Sequence, residues 1–203
     1  MTGVLLSGGL DSAVLVAEEA ARDDVQPIYV SVGLAWEAQE RAVAAAFLAR
    51  SRFLRTVQPL ITLAVTMADV YPASHWAVQG RPPGYTSADD EVYLPGRNIV
   101  LLGKAAVYCA IHGIGRIAIG TLAHNPFPDA TPEFRDALAH ALSLGLGQRL
   151  DVVAPFASVE KGEVIRRGAA AHLPLHLTVS CMQPSGVGDD APPWRPASCC
   201  SRS

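Results

Sequence analysis

Apolar and polar positions follow one another along this chain with a period that switches several times, and each switch predicts an element. Residues 3–6 form a short apolar run that meets a glycine pair at once, which predicts a strand ending in a tight loop. Residues 11–22 carry Ala13, Val14, Val16, Ala17, Ala20 and Ala21 with Glu18 and Glu19 between them, the spacing of a helix. A strand is predicted over 27–32, an Ala-rich amphipathic helix over 36–50 and a third strand over 53–57. Pro72, Gly80, Pro82, Pro83, Gly84, Pro95 and Gly96 then mark 72–96 as one long loop, and loops of that length in a compact domain are commonly functional. Beyond it the pattern predicts a helix over 98–112 with Asn98 as its N-cap, a strand over 116–120 and a Pro-containing loop over 121–132. A helix over 133–144, a strand over 150–153 and a helix over 160–170 follow.

This order of elements favours an α/β fold, a Rossmann-like parallel sheet with helices on both faces. It predicts one domain over residues 1–183. From Pro184 onward prolines and turn formers replace the periodicity, so residues 184–203 read as an irregular tail.

Composition narrows the class. Half of the 203 residues are apolar and 17% are charged, enough to bury a core and too apolar for a disordered chain. Charged residues, Gly or Pro break every apolar stretch short of a membrane span, and no basic segment followed by an apolar one opens the chain. A cytoplasmic address and no membrane contact are therefore expected. The net charge of −3 argues against a stable nucleic-acid partner, which a basic surface would serve. Of 16 cationic side chains only Lys104 and Lys161 are lysines. Cys109 lies in an apolar helical run and is expected in the core, whereas Cys181, Cys199 and Cys200 crowd the C-terminal end.

The loop after the first strand, Leu6-Ser7-Gly8-Gly9-Leu10-Asp11-Ser12, carries the most chemistry. Two glycines let the backbone approach an anion, two serines supply hydroxyls, and the following helix aims its N-terminal N–H groups at the same spot. It is no Walker A loop, since no lysine precedes position 104, and its glycine spacing is not that of the dinucleotide fingerprint. Ser-Gly-Gly-x-Asp-Ser resembles the pyrophosphate loop of the ATP pyrophosphatases, a superfamily with the adenine nucleotide alpha hydrolase-like fold. The resemblance implies that Leu6, Ser7, Gly8, Gly9, Leu10, Asp11, Ser12, Ala13 and Val14 surround the ATP phosphates. It implies that Ser7, Asp11 and Ser12 act in catalysis, with Asp11 beside magnesium.

Further segments resemble one branch of that superfamily in order and spacing: Tyr93-Leu94-Pro95-Gly96-Arg97-Asn98, Gly120-Thr121 with the run from Pro126 to Phe134, Ala154-Pro155-Phe156 with the run from Val159 to Ile165, and Leu177-Thr178-Val179-Ser180-Cys181. Together they resemble the 7-cyano-7-deazaguanine synthases of queuosine-type deazapurine biosynthesis. The resemblance implies ATP-dependent conversion of 7-carboxy-7-deazaguanine and ammonia to the nitrile through adenylated intermediates. Arg97, Asn98 and Gly120 would then face the nucleotide, Asp129, Glu133 and Phe134 the deazapurine, and Lys161 the leaving pyrophosphate. A bidentate arginine suits phosphate. The residues also admit plainer roles: an N-cap beside a surface arginine for Arg97 and Asn98, a helix cap for Asp129 and Glu133, and a solvated helix lysine beside Glu163 for Lys161.

Two departures from that family stand out. Residues 32–40, Val-Gly-Leu-Ala-Trp-Glu-Ala-Gln-Glu, replace its Asp-Tyr-Gly-Gln segment and keep only Gly33. The family's four-cysteine zinc set is reduced to Cys181 with the adjacent Cys199 and Cys200. The tail suits a zinc-free variant, substitution by His124, His172 or His176, or a truncated or frame-shifted end. ATP and magnesium are the expected cofactors. Cys181, Cys199 and Cys200 are the candidate zinc ligands, but adjacent cysteines seldom both ligate one tetrahedral zinc, and Cys199 and Cys200 read rather as exposed tail thiols. The resemblance allows a homodimer. Other readings remain open: another amidating ligase, a tRNA thiolase, or a nucleotide-binding relic without catalysis.

Overall fold

A computed structural model describes residues 1–51, 54–84 and 89–179, with Asp89 and Asp90 described by backbone alone. Five strands, β1 (Thr2–Leu5), β2 (Val25–Ser31), β3 (Ile61–Ala64), β4 (Arg116–Ala118) and β5 (Asp151–Val153), form one parallel sheet. Their order is β3-β2-β1-β4-β5. β1 is buried along its whole length, as a central strand covered on both faces must be. Its alternate side chains enter different cores. Leu5 joins Ile28, Ile117 and Val152 under α5 (Arg97–Ile111) and α6 (Pro132–Leu146). Val4 joins Phe47, Ala118, Phe156 and Val164 under α1 (Leu10–Ala20), α2 (Glu37–Arg50) and α7 (Lys161–Ala170). The expected α/β sheet with helices on both faces is the observed architecture.

Some expectations need correction. Residues 54–57 do not form the third strand: only Val57 bridges to β2, at Val25, and Pro59 has no N–H with which to continue a ladder. The strand begins beyond that proline, where half-buried Ile61 and Leu63 alternate with exposed Thr62 and Ala64. The segment 72–96 is not one loop but holds two single-turn helices, α3 (Trp76–Gln79) and α4 (Asp89–Val92). The His75 ring nitrogen caps α3 by accepting from the Ala77 N–H at 3.2 Å. Asn98 is not the N-cap of α5: Gly96 is, at φ 74°, and Asn98 lies inside the first turn with its N–H given to Asp129 Oδ2 at 3.0 Å. A carboxylate from a distant loop thus supplies the cap that a local side chain was expected to provide.

Glu19, read as a polar helix position, is 1% exposed. Its carboxylate receives the Arg116 guanidinium of β4, which also donates to Thr2 Oγ1 at 3.0 Å. A buried carboxylate needs such a partner, and the pair ties α1 to the start of β4. Cys109 is fully buried, and burial pushes its thiol up to about 12. No helix among the described residues is long and apolar enough to cross a membrane.

Candidate active site

The chain leaves β1 towards β2 on one side, and β4 lies on the other, so the carboxyl ends of β1 and β4 open a crevice at the switch point of the sheet. The loop from Leu6 to Ser12 and the exit of β4 at Gly120 and Thr121 meet there, beside a cavity of about 570 Å³.

The loop is held by its own hydroxyls. Ser12 Oγ donates to the Gly9 carbonyl at 2.9 Å and accepts from the Ser7 N–H at 3.2 Å, while Ser7 Oγ accepts from the Gly9 N–H at 3.3 Å. Gly9 occupies the N-cap of α1 with no side chain to cap it, so the first-turn N–H groups are open to an anion. Gly8 has φ 77°, and a Cβ on it would stand 2.7 Å from the Glu40 carbonyl oxygen. Gly120 is crowded to a lesser degree: a Cβ there would lie 3.3 Å from the Ser12 nitrogen. Leu6, Ala13 and Val14 are buried behind the loop, and Leu10 packs on the same core.

Lys161, at the first position of α7, reaches Asp11 across 150 residues of chain. Its Nζ stands 2.7 Å from Oδ1 and 2.9 Å from Oδ2. The structure therefore brings together the loop aspartate and the lysine singled out in the sequence. The Val179 N–H donates to the Gly8 carbonyl at 2.9 Å, so the C-terminal segment also returns to the loop.

Ser7, Gly9, Asp11, Ser12, Arg97, Asn98, Gly120 and Asp129 all line the cavity. Asn98 holds Asp129 twice, through its N–H on the carboxylate and its Nδ2 on the Asp129 carbonyl at 3.1 Å. Glu133 is exposed in the first turn of α6, and Phe134 packs against the core under α5, both outside the lining. Two polar atoms of lining residues, Arg97 Nε and Thr121 Oγ1, are buried with no hydrogen-bond partner among the described residues. Buried donors left open at a cavity are what a polar ligand would satisfy.

Sequence reasoning gave no role to the aromatic rings of the cavity or to Glu40. Trp36 and Trp76 stack at 5.4 Å and 10°, and Tyr93 stacks on Phe127 at 4.9 Å and 19°. All four rings line the cavity, as does Glu40. Glu40 Oε2 accepts the Tyr29 hydroxyl at 2.8 Å. Burial pushes Glu40 above the ordinary carboxylate range and Glu37 adds to the effect, while Arg97, Tyr29 and Trp36 pull the other way. Burial, with the nearby Glu40 charge, also raises Tyr29, which stays protonated. The departure of residues 32–40 from the family pattern was the available signal for this part of the lining, since Trp36 and Glu40 both lie there.

Cys181, Cys199 and Cys200 lie outside the described residues. Among the described residues no three or more His, Cys, Asp or Glu side chains cluster to hold a metal. His124 pairs instead with Glu160 at 3.0 Å on the surface.

Known proteins supply the remaining comparison. A predicted subunit of tRNA methyltransferase from Methanocaldococcus jannaschii superposes with a TM-score of 0.52 at 15% identity, covering 83% of this chain and 73% of that one. The U34-tRNA thiolase NcsA from Methanococcus maripaludis superposes with a TM-score of 0.50 at 14% identity, over 85% of this chain and 57% of that one. Both likenesses concern the fold. A 7-cyano-7-deazaguanine synthase of Nitrosospira multiformis is 32% identical over 197 residues, covering 91% of this chain and 82% of its own. The family model of queuosine biosynthesis protein QueC matches residues 2–203, and the chain belongs to that family.

Proposed function

We propose that this protein makes 7-cyano-7-deazaguanine from 7-carboxy-7-deazaguanine and ammonia, activating the acid with ATP. Family membership supports the overall reaction. The observation that carries the assignment of residues is the meeting of Lys161 with Asp11 at the open N-terminus of α1. A cation on the lining residue Asp11 and the open first-turn N–H groups thus adjoin a cavity whose lining also holds aromatic rings and the carboxylates of Glu40 and Asp129.

In this reading the loop from Ser7 to Ser12 holds the β,γ-pyrophosphate against the first-turn N–H groups. The substrate carboxylate oxygen attacks the α-phosphorus, and the bond to pyrophosphate breaks. Lys161 offsets the charge that grows on the leaving group, and Arg97 offers its open Nε to the nucleotide. Asp11 would hold magnesium, which would spread phosphate charge, once Lys161 turns from it to the phosphates. Asp129, fixed by Asn98, accepts from the donor edge of the deazapurine, with Tyr93 and Phe127 beside its plane.

The test is an incubation with ATP, magnesium, ammonium and the acid, following AMP and acceptor mass together. AMP with the nitrile supports the reading. AMP without nitrile points to another acceptor, and no AMP from folded protein points to a relic.

A further inference from the structure

We infer that Glu40 is a further catalytic residue of this cavity: its Oε1 takes a proton from ammonium, so that ammonia can attack the activated carboxyl. The inference rests on the reaction proposed above. Ammonium has no lone pair, so a nitrogen nucleophile drawn from it needs a base inside the site. Three carboxylates line the cavity, Asp11, Glu40 and Asp129. Asp11 is engaged at both oxygens by Lys161, and Asp129, held at Oδ2 by the Asn98 N–H, serves the deazapurine in the reading above. Glu40 accepts the hydroxyl of a protonated Tyr29 at Oε2, and the Trp36 side chain also favours its charged form.

The surroundings suit a cation that must lose its proton. Trp36 and Trp76, stacked on each other, line the cavity together with Glu40, and indole rings are the side chains that best attract a cation. The groups facing Glu40 are Tyr29 from β2, Trp36 and Glu37 at the start of α2, and Arg97 from α5. Their combined effect with burial leaves its carboxylate more basic than usual, which favours proton transfer. The Glu40 backbone carbonyl lies against Gly8, so this base is anchored to the phosphate loop itself.

The step balances. Ammonium gives one proton to Glu40 and becomes ammonia. The ammonia lone pair forms the C–N bond at the acyl carbon as the C–O bond to AMP breaks. The second surplus proton on nitrogen leaves to solvent, and Glu40 returns its own before the next turnover.

The experiment compares wild type with Glu40→Gln, which keeps the shape and an acceptor for Tyr29. Acid-dependent exchange of labelled pyrophosphate into ATP reads the adenylation step, and product formation with ammonium reads the nitrogen step. In the variant the product rate is expected to fall about 100-fold further than the exchange rate. Hydroxylamine, uncharged at neutral pH, attacks without first losing a proton. Hydroxamate formation by Glu40→Gln is therefore expected within about tenfold of wild type. Tyr29→Phe removes a hydrogen bond that lowers the Glu40 pKa, so its acid limb in ammonium-dependent turnover should move to higher pH. Equal losses in exchange and product, or no rescue by hydroxylamine, overturn the role of Glu40. An absence of acid-dependent exchange in wild type overturns the proposed reaction itself, and the role of Glu40 with it.

Discussion

In the proposed reading Ser7, Gly9, Asp11 and Ser12 build the phosphate end of the cavity from a single turn, whereas Trp36, Glu40, Trp76, Tyr93, Phe127 and Asp129 build the acceptor end from segments far apart in the chain. The first end is mostly backbone: a strand, two glycines and the start of a helix, with one long-range side chain, Lys161, added. The second is mostly side chains, stacked in pairs and capped by carboxylates. A backbone site admits little change because its atoms cannot repack. A side-chain site can trade one ring or carboxylate for another and thereby change its ligand.

The largest expected effect lies at the phosphate end. Lys161→Met should lower AMP formation by about 10²–10³, the loss typical when a charge-stabilising donor is removed. Acceptor affinity, read by quenching of tryptophan fluorescence, should hold. If the acceptor binds equally poorly, the two ends are not separate in the way described.

Gly8→Ala tests whether the backbone itself is the site. The left-handed φ and the crowding against Glu40 should cost about 2 kcal/mol of stability, read by denaturant unfolding. ATP binding should fall together with stability. A variant as stable as wild type would show that the loop can shift.

At the acceptor end, Trp36→Ala removes half of a stacked pair. The KM for the acid should rise about 3- to 10-fold, with the KM for ATP less affected. A larger effect on ATP would place the nucleotide against this wall instead.

The smallest effect concerns Glu40 and pH. Its folded pKa lies above the ordinary carboxylate value. The native state therefore binds more protons than the unfolded chain in that window, and stability falls as pH rises through it. The Tm of wild type relative to Glu40→Gln should decline from pH 4.5 upward towards neutrality. A flat difference would mean that the carboxylate is solvated.

The same contrast explains how much was legible beforehand. The loop from Ser7 to Ser12 was readable because six adjacent residues define its geometry. Lys161 was readable because only two lysines occur and one falls on a motif. The sheet followed from period, except at β3, where Val57 bridges weakly and Pro59 delays the strand to Ile61. Asn98 looked like a cap, yet its helix is capped from Gly96 and Asp129, a contact across 31 residues that no local pattern reports. Glu19 looked like a polar helix position, and Glu40 stood out only as part of the divergent stretch 32–40. Their burial is set by Arg116 and Tyr29, on other elements. Glu133 and Phe134, adjacent in sequence to the motif around Asp129, follow the helix away from the cavity because successive helical residues face different sides.

The central claim is that a carboxylate oxygen of the acceptor attacks the α-phosphorus of ATP in this cavity. The most direct measurement supplies 7-carboxy-7-deazaguanine labelled with oxygen-18 in its carboxyl group and weighs the AMP released. The expected result is one labelled oxygen in each AMP, because the attacking oxygen stays on phosphorus when nitrogen displaces AMP. Unlabelled AMP would show that water, not the acceptor, attacks the nucleotide, and would contradict the account.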